Sequence, residues 1–416
     1  MTTTVSLRRL VDVIDCAHVT APFVDDDRRF PVASIRECQG AYVDLSDCKY
    51  TTQEFFDHLR ASDRAPRTGD LLFIRNVSVG LVSAVAPGTP EFAVGQETVL
   101  LRRTSEVDPT FLRYALVGAE ANYAVESAMI GSTFRRINVS AIRALPVALP
   151  PPEEQRLIAN YLDRETAHID TLIEEQQRLI EMLDERRDGV IAEAATKGVS
   201  PGVALVDSGV EWLGDIPEGW SVKALRRCGT LLTGATPPTD NRSNFAEEEN
   251  ERPWVRPQDL SSETRASAWL TADGWSKMRP VPAGSVLVGC IAYSLGSVGY
   301  LPVAATTNQQ ITCIIPAEEG RYLYYVMRAA KSELWAASQM NRVPILNNQR
   351  LGAIQVPVPP VEEQRLIAAY LDEQTEKIDR TKAEAERFIE LARERRSALI
   401  TAAVTGQIDV REGRDG

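Results

Sequence analysis

The sequence is poor in the residues that build redox or metal centres. Its 416 residues include six cysteines and three histidines. These are Cys16, Cys38, Cys48, Cys228, Cys290 and Cys313, and His18, His58 and His168. No Cys-x-x-Cys pair occurs, and no two histidines have the spacing of a zinc site. We expect reduced cysteines in the core or on the surface, with no metal and no other cofactor.

Long apolar runs are also missing. No run approaches the roughly 20 residues that a membrane helix needs. The first ten residues have neither the apolar core nor the small-residue cleavage site of a signal peptide. The sequence therefore predicts a cytoplasmic protein with no membrane partner.

The motifs of several nucleotide- and DNA-modifying enzymes are absent. The chain has no adenine-methyltransferase Asn/Asp-Pro-Pro-Tyr/Phe tetrad, no glycine-rich cofactor loop and no phosphate-binding loop. It also lacks an Asp…Glu-x-Lys nuclease pattern. The composition, 44% apolar and 25% charged, is that of a globular protein with room for two or three domains. We predict that the chain is not an enzyme on its own.

An excess of positive charge is lacking as well, since the formal net charge is −12. This argues at first sight against a nucleic-acid partner. The excess acid is unevenly spread, however: segment 153–200 has a net charge of −6 and segment 361–416 one of −3. Residues 1–152 and 201–360 are nearly neutral, so each of these two regions can still present a local basic surface.

What the sequence does contain is a long internal repeat. Residues 153–163 read EEQRLIANYLD and residues 362–372 read EEQRLIAAYLD, an offset of 209 residues. The register holds without a gap for about 45 residues. Thr166, Ile169, Asp170, Arg178, Ile180 and Glu181 recur as Thr375, Ile378, Asp379, Arg387, Ile389 and Glu390, and the triplet 185–187 recurs at 394–396. We interpret the chain as a duplication.

Each copy of the repeat predicts a helix of about 40 residues. Proline clusters precede both copies, and glutamates occupy the first turn, where the helix dipole favours anions. Apolar residues then follow in steps of three and four. The first predicted seam is Leu162, Ile169, Leu172, Leu179, Leu183 and Val190; the second is Leu371, Ile378, Ala385, Phe388, Ala392 and Leu399. The alternative is a pair of ordinary bundle helices, but these are typically much shorter. We expect an antiparallel coiled coil.

A segment of about 150 residues without heptads precedes each helix. Strands are predicted at 70–75, 97–102, 285–289 and 311–315, with turn signals before the first strand of each segment. The two segments correspond at a few anchors: Leu7-Arg8-Arg9 matches Leu225-Arg226-Arg227, and Tyr114-Ala115 matches Tyr324-Tyr325. Elsewhere they diverge, as expected for two globular domains that keep a scaffold and change their surfaces.

A family resemblance becomes specific at residues 207–222, DSGVEWLGDIPEGWSV. This block resembles the central conserved region of type I restriction specificity subunits. The doubled P-P-x-E-E-Q-R-x-I-A-x-Y-L-D start of the helices and the closing segment 405–410, TGQIDV, are also similar to that family. The resemblance implies a non-catalytic subunit that binds double-stranded DNA at a bipartite, asymmetric site. It also implies two methyltransferase (modification) subunits and restriction subunits as partners, which carry out adenine methylation and cleavage.

The fold class predicted is α+β. Two mixed α/β target-recognition domains are separated by two long antiparallel coiled-coil helices, with an internal pseudo-two-fold repeat. The expected division is 1–150 for the first recognition domain, 151–200 for the first long helix, 201–221 for a connector, 222–357 for the second recognition domain, 358–406 for the second long helix and 407–416 for a tail.

Candidate DNA-binding residues are polar side chains on loops between the predicted strands and ahead of each long helix. Arginine can read guanine, and asparagine or glutamine can read adenine. In the first domain the candidates are Arg36, Arg75, Asn76, Gln96, Thr133, Arg135 and Arg136. In the second they are Arg256, Gln258, Tyr293, Asn308, Gln309, Gln310, Asn341 and Arg342. Segments 131–136 and 340–345 match by the same 209-residue offset and differ in sequence.

Two rival functions remain open from the sequence. One is a free-standing methyltransferase or nuclease with diverged motifs, which would modify DNA without partners. The other is a structural dimerisation protein built on the coiled coil, which would show no sequence-selective DNA binding.

Overall fold

The computed structural model describes residues 3–16, 21–24, 30–131, 135–239, 241–340 and 342–411, with Met340 described by its backbone alone. The chain forms two compact units. Unit 1 comprises Met1–Gln177 and Glu386–Gly416, and unit 2 comprises Arg178–Ala385. Both long helices therefore contribute to both units. We call residues 3–149 the first head and residues 205–358 the second head.

The first head is a mixed domain with short helices around two four-stranded sheets and one two-stranded sheet. Its strands are β1 (Thr3–Ser6), β2 (Val11–Asp15), β3 (Phe23–Val24), β4 (Phe30–Ala33), β5 (Lys49–Thr51), β6 (Leu71–Ile74), β7 (Val82–Ala84), β8 (Ala93–Val94), β9 (Thr98–Arg103) and β10 (Pro146–Leu149). Its helices are α1 (Gln53–Ala61), α2 (Pro109–Val117), α3 (Ala119–Ala128) and α4 (Val139–Ala144), with 3₁₀ turns at Leu7–Arg9 and Arg36–Cys38. The first long helix, α5 (Pro152–Lys197), follows.

The second head uses a similar order of elements. Its strands are β11 (Leu205–Asp207), β12 (Asp215–Pro217), β13 (Ser221–Ala224), β14 (Gly229–Thr233), β15 (Phe245–Ala246), β16 (Trp254–Val255), β17 (Trp269–Leu270), β18 (Val286–Gly289), β19 (Val298–Tyr300), β20 (Thr306–Thr307), β21 (Ile311–Pro316), β22 (Gln339–Met340), β23 (Pro344–Ile345) and β24 (Gln355–Val358). Its helices are α6 (Ala272–Ser276), α7 (Gly320–Ala329), α8 (Lys331–Ala336) and α9 (Asn348–Leu351), with 3₁₀ turns at Leu225–Arg227, Arg242–Asn244, Pro257–Asp259 and Ala292–Ser294. The second long helix is α10 (Val361–Val404).

Each head is built on an antiparallel four-stranded sheet. The strand order is β2-β9-β6-β7 in the first head and β14-β21-β18-β19 in the second. All four predicted strands are present, as β6, β9, β18 and β21. Alternate side chains of β6 enter different cores: Leu71 and Phe73 pack toward α2 and the long helices, whereas Leu72 and Ile74 pack toward α1. Burial of both faces explains why β6 reads as a continuous apolar run.

The fold class predicted from the sequence is confirmed: two mixed α/β heads accompany two long helices, α5 of 46 residues and α10 of 44. Within unit 2 the helices run antiparallel, because Lys382 bonds Asp184 at 2.7 Å while Asp379 pairs with Arg187 at 3.1 Å. Within unit 1, Arg396 pairs with Asp170 at 2.8 Å. The 209-residue offset maps this last pair onto Arg187–Asp379, so the duplication preserves an ion pair as well as apolar positions.

The predicted seams need correction at two places. Ile173, not Leu172, is buried in α5, and Leu172 is only half-buried. In α10, Phe388 is 41% exposed and Ile389 is buried. Steps that alternate strictly between four and three lead from Leu371 to Ile389 through a threonine and a lysine. Because polar residues occupy part of the seam, the apolar residues alone do not reveal its register.

A hydroxyl network fastens the first head to its part of α5. Tyr114 on α2 donates to the carboxylate of Asp163 at 2.8 Å, and its oxygen lies 2.9 Å from the hydroxyl of Thr166. Burial raises the pKa of Tyr114, so the phenol remains a donor. Arg113 is 5% exposed, stacks on the Tyr114 ring and approaches Asp163 at 3.6 Å. The network fixes one helix of the head against the long helix.

The second head repeats this network at the equivalent positions of α10. Tyr325 donates to Asp372 at 2.6 Å, and its oxygen lies 3.2 Å from that of Thr375. Arg321 donates to the same carboxylate at 2.7 Å. The sequence matched Tyr114 with the preceding residue, Tyr324, so that register was wrong by one. Both tyrosines of the pair are buried, and only the hydrogen bonds distinguish them.

A second repeated contact comes from the glutamine of the duplicated motif. The side-chain oxygen of Gln155 accepts from the backbone N–H of Asp108 at 2.9 Å, and that of Gln364 accepts from Glu319 at 3.3 Å. Asp108 and Glu319 are the N-cap residues of α2 and α7. Both glutamines are 3% exposed. Much of the duplicated motif is thus explained by its contacts with a head.

The network predicts a measurable loss of stability when the tyrosine hydroxyl is removed. Tyr114→Phe and Tyr325→Phe should each lower the free energy of unfolding by about 1–2 kcal/mol, because a buried hydrogen bond to a charged group is lost. Tyr123→Phe and Tyr370→Phe are matched controls, since these side chains are 75% and 40% exposed. Chemical denaturation of the four variants checks this. Equal stability of all four would show that the hydroxyls do not anchor the heads.

Candidate nucleic-acid interface

Three separate chain segments meet at one end of the first head's four-stranded sheet. Strand β6 ends at Ile74, and the next residue, Arg75, donates its backbone N–H to Glu97 at 2.8 Å. The carbonyl of Arg75 accepts from Ile137 at 2.9 Å, and Asn76 forms a β-bridge with Arg136. The structure therefore brings together five of the predicted residues: Arg75, Asn76, Gln96, Arg135 and Arg136.

The same end of the second head's sheet has an equivalent set of backbone contacts, and we call each set a frame. Cys290 follows β18 and donates its N–H to Gln310 at 2.9 Å, while its carbonyl accepts from Leu346 at 2.8 Å. Ile291 forms a bridge with Ile345. The frame carries Tyr293, Asn308, Gln309 and Gln310 together with Arg342, which follows β22. Thr133 and Asn341 lie outside the described residues.

The remaining predicted residues lie on a neighbouring loop of each frame. In the first head Gly95 donates to Ala33 at 2.8 Å, and in the second Asn308 donates to Val255 at 3.0 Å. Arg36 follows Ala33 on a 3₁₀ turn, and Arg256 and Gln258 follow Val255 on another. Equivalent backbone positions thus carry different side chains in the two heads.

The arginines at these sheet ends differ in whether a protein group already binds their side chain. Arg75 is 16% exposed at its side chain and holds both carboxylate oxygens of Asp15, at 2.8 and 2.9 Å. Arg36 is exposed and pairs with Asp47. Arg256 donates to the hydroxyl of Ser267 at 2.7 Å. These three are held by the protein itself.

Arg135, Arg136 and Arg342 are exposed, and none of them has an ion-pair partner among the residues that the structure describes. The amides differ from these three arginines. The side-chain oxygen of Asn308 accepts from the backbone of Gln310 at 3.1 Å, and that of Gln309 accepts from the hydroxyl of Thr236. Gln96 is exposed at the turn that precedes β9. Several of the predicted side chains therefore already have partners within the protein.

Two residues of these frames have an unusual backbone conformation that has no signal in the sequence. Val77 and Ala292 have φ angles of 62° and 53°, in the left-handed region that favours glycine. Each is the third residue after the end of its strand, β6 or β18. A left-handed valine or alanine has no compositional signature, so only the backbone could show this.

No metal cluster or reactive thiol accompanies the frames in the described part of the chain. No group of three or more His, Cys, Asp or Glu side chains there could hold a metal ion. Burial raises the pKa of Cys290 in the second frame, that of Cys16 and of Cys38 to about 12 and that of Cys313 to about 11, so these thiols stay protonated at neutral pH. Within the same residues no helix has the length and apolarity required to cross a membrane.

Two heads that place different side chains on one backbone frame, together with a duplicated pair of helices, define a two-headed recognition protein. A family model for the type I restriction modification DNA specificity domain matches residues 59–182 and 217–388. Because these ranges cover more than half of the chain, the protein belongs to that family. It is a specificity subunit, and catalysis is carried by other subunits of such systems.

Individual relatives agree with the family match. The putative type I restriction enzyme MjaX specificity subunit of Methanocaldococcus jannaschii is 24% identical, over 97% of this chain and 94% of the relative. A chain from a structural study of type I R-M complex assembly and conformational transition has a TM-score of 0.71 at 16% identity, with 98% of both chains covered. The HsdS subunit from Thermoanaerobacter tengcongensis has a TM-score of 0.51 at 19% identity, over 98% of this chain and 97% of that one. The two structures share the fold.

The contrast between held and available arginines predicts different effects on stability. Arg75→Met should lower the free energy of unfolding of the first head by about 2 kcal/mol, because it removes the guanidinium that Asp15 bonds through both oxygens. Arg135→Met removes an exposed side chain and should change the free energy of unfolding by less than about 0.5 kcal/mol. Denaturation midpoints of the two variants test this. A larger loss for Arg135→Met would reverse the assignment.

Proposed function

We propose that this protein reads a bipartite, asymmetric DNA site, with residues 1–150 contacting one half-site and residues 222–357 the other. The observation that carries the proposal is the pair of equivalent sheet ends with different side chains. Equivalent frames provide equivalent approaches to DNA, and different side chains read different bases. The cytoplasm, where bacterial and archaeal DNA lies, is the compartment that this function requires.

The exposed side chains of the frames have the chemistry of direct readout. Arg135, Arg136 and Arg342 can donate two hydrogen bonds to guanine. Gln96 and Gln309 have the amide group that selects adenine, and Gln309 would exchange the hydroxyl of Thr236 for the base. Arg36, Arg75 and Arg256 are already held by protein groups, so we assign them to phosphate contacts or to the shape of the frame. Asn76, Gln258, Tyr293, Asn308 and Gln310 complete the proposed contact surface.

Charge indicates that this chain does not hold DNA alone. Phosphate contacts need a basic footprint, yet the chain carries −12, of which −9 lies in the two helix segments. We therefore propose that two modification subunits supply most of the basic surface and the methyl-transfer chemistry, and that restriction subunits join them in the full complex. The chain itself needs no cofactor.

The duplicated motif supports two copies of one partner. Within it, Leu157 and Tyr161 recur as Leu366 and Tyr370, one helical turn apart and hence on one face of their helix. Leu366 is 62% exposed and Tyr370 40% exposed, so the fold does not account for their presence. In the first copy Leu157 and Tyr161 are half-buried, and Tyr161 packs against the core of the first head. Exposure of the second pair therefore carries the argument for a docking site, and the sequence repeat extends it to the first pair. We place one modification subunit on each pair.

Methylation mapped across the genome tests the function directly. Cells with the chain and its modification subunits should carry one methylated bipartite motif, and cells without this gene should lose it. Methyl transfer by the isolated chain would favour the free-standing enzyme instead. If the complex is stable but no methylated motif depends on this gene, a purely structural role would be favoured.

Single arginine variants should separate the two half-sites. In the assembled methyltransferase, Arg135→Ala should relax base preference in one half-site only, and Arg342→Ala in the other only, each costing about 1–3 kcal/mol of specific binding. Arg9→Ala and Arg227→Ala are matched controls, because Arg9 and Arg227 precede β2 and β14 at the opposite ends of the sheets. Competition binding with randomised half-sites gives the readout. Changes in both half-sites from one variant would contradict the two-headed assignment.

The proposed docking pairs predict stoichiometry. Leu157→Glu and Leu366→Glu should each reduce the modification subunits bound per chain from two to one, and the double variant should bind none, because a carboxylate cannot enter an apolar contact without a large desolvation cost. Native mass spectrometry measures this. Val303→Glu is the control, since Val303 is 58% exposed and lies in the second head. Two bound subunits in the double variant would exclude these pairs as the docking sites.

A further inference from the structure

The two left-handed residues lie in turns that share a closing hydrogen bond and differ in length and sequence. The turn of the first head, residues 75–80, reads RNVSVG, and that of the second, residues 290–296, reads CIAYSLG. Each turn closes on a glycine with positive φ, 95° at Gly80 and 79° at Gly296. In both heads the closing glycine donates back to the last residue of the strand, at 3.0 and 3.1 Å. The position of the left-handed residue and the closing hydrogen bond are preserved, whereas the second turn is one residue longer, includes the 3₁₀ turn Ala292–Ser294 and carries different side chains.

The rest of the frame holds these turns firmly. In the first head the N–H of Val77 donates to the carbonyl of Arg135 at 2.9 Å, and Arg75 is clamped by Asp15. In the second, Ile291 bridges to Ile345 in the segment that corresponds to 136. A left-handed conformation at a non-glycine residue persists only where the surroundings impose it. The turns are therefore rigid platforms at the end of the sheet.

The side chains on these platforms contribute little to the fold. Val77 is 61% exposed and Tyr293, the residue after Ala292, is 78% exposed. A β-branched residue with positive φ is strained, and glycine would adopt that conformation more easily. An exposed valine at such a position therefore requires a reason outside the folded chain itself.

The chemistry of these side chains limits what they can contact. Valine offers no hydrogen bond, so it can read neither a phosphate nor the polar edge of a base. Tyr293 exposes an apolar ring as well as its hydroxyl, and the ring can make the same kind of contact as valine. The apolar group on a base edge in the major groove is the C5-methyl of thymine. We propose that Val77 and Tyr293 are specificity-determining residues that contact thymine methyl groups, one in each half-site. This inference rests on the proposed function, because it assumes that the sheet ends face DNA.

Deoxyuridine provides the decisive probe, since it lacks only the methyl group. Once the methylated motif is known, each thymine of a half-site is replaced in turn by deoxyuridine, and binding by the complex of full-length chain and modification subunits is measured. One replacement in each half-site should weaken binding about fourfold, the effect of removing one buried methyl-sized group. Val77→Ala should abolish that effect in one half-site, and Tyr293→Ala in the other. Val303→Ala should preserve both effects.

The outcomes distinguish this inference from the proposed function. If the wild-type complex shows no sequence-selective binding, the proposed function fails, and the thymine contact fails with it. If binding is selective but indifferent to deoxyuridine, or if the variants keep the deoxyuridine effect, the thymine contact alone is overturned. Val77→Gly is the control for a folding defect, because glycine relieves the backbone strain at this position. This variant should also lose the deoxyuridine effect in its half-site and keep recognition of the other half-site.

Discussion

The seam between the two long helices is the constraint on which the other features depend. Because the chain is duplicated with an offset of 209 residues, antiparallel pairing places the start of one helix beside the end of the other within each unit. The Asp170–Arg396 and Asp379–Arg187 pairs record this arrangement. Each head then contacts the start of the long helix that follows it, through the duplicated glutamine, aspartate and threonine.

This arrangement assigns two requirements to different parts of the chain: a constant packing geometry to the helices and a variable surface to the heads. The helices need a fixed register, which the buried seam and the Asp170–Arg396 and Asp379–Arg187 pairs maintain. Tyr114 and Tyr325 then fasten each head to an equivalent carboxylate of its long helix. The heads need to differ, and their sheet ends do so on an unchanged backbone frame. The negative charge follows the same division, because most of it lies on the helices and the heads are nearly neutral. In the function that we propose, DNA recognition by such a chain depends on partners that contribute positive charge.

Several features of the site were visible in the sequence, but their roles were not. Loop position and residue type identified Arg75 and Arg135 equally well as candidates. The structure separates them, because Asp15 is 60 positions away in sequence and only the sheet brings it to Arg75. The predicted match between Tyr114 and Tyr324 was wrong for a related reason. Two adjacent tyrosines, 324 and 325, fit the sequence pattern equally well, and only the hydrogen bond to Asp372 identifies Tyr325 as the equivalent of Tyr114.

The sequence by itself determined the duplication, the two long helices and the divergence of the heads, because apolar periodicity and self-similarity can be read along the chain. It predicted antiparallel helices, and the Lys382–Asp184 and Asp379–Arg187 pairs establish that direction. Only the tertiary structure decided which arginines are held, that Ile173 and Ile389 occupy the seam rather than Leu172 and Phe388, and that Val77 and Ala292 adopt left-handed backbones. These outcomes depend on contacts between distant segments. A side chain's type cannot specify such a contact until the sheet and the helices have placed its partner beside it.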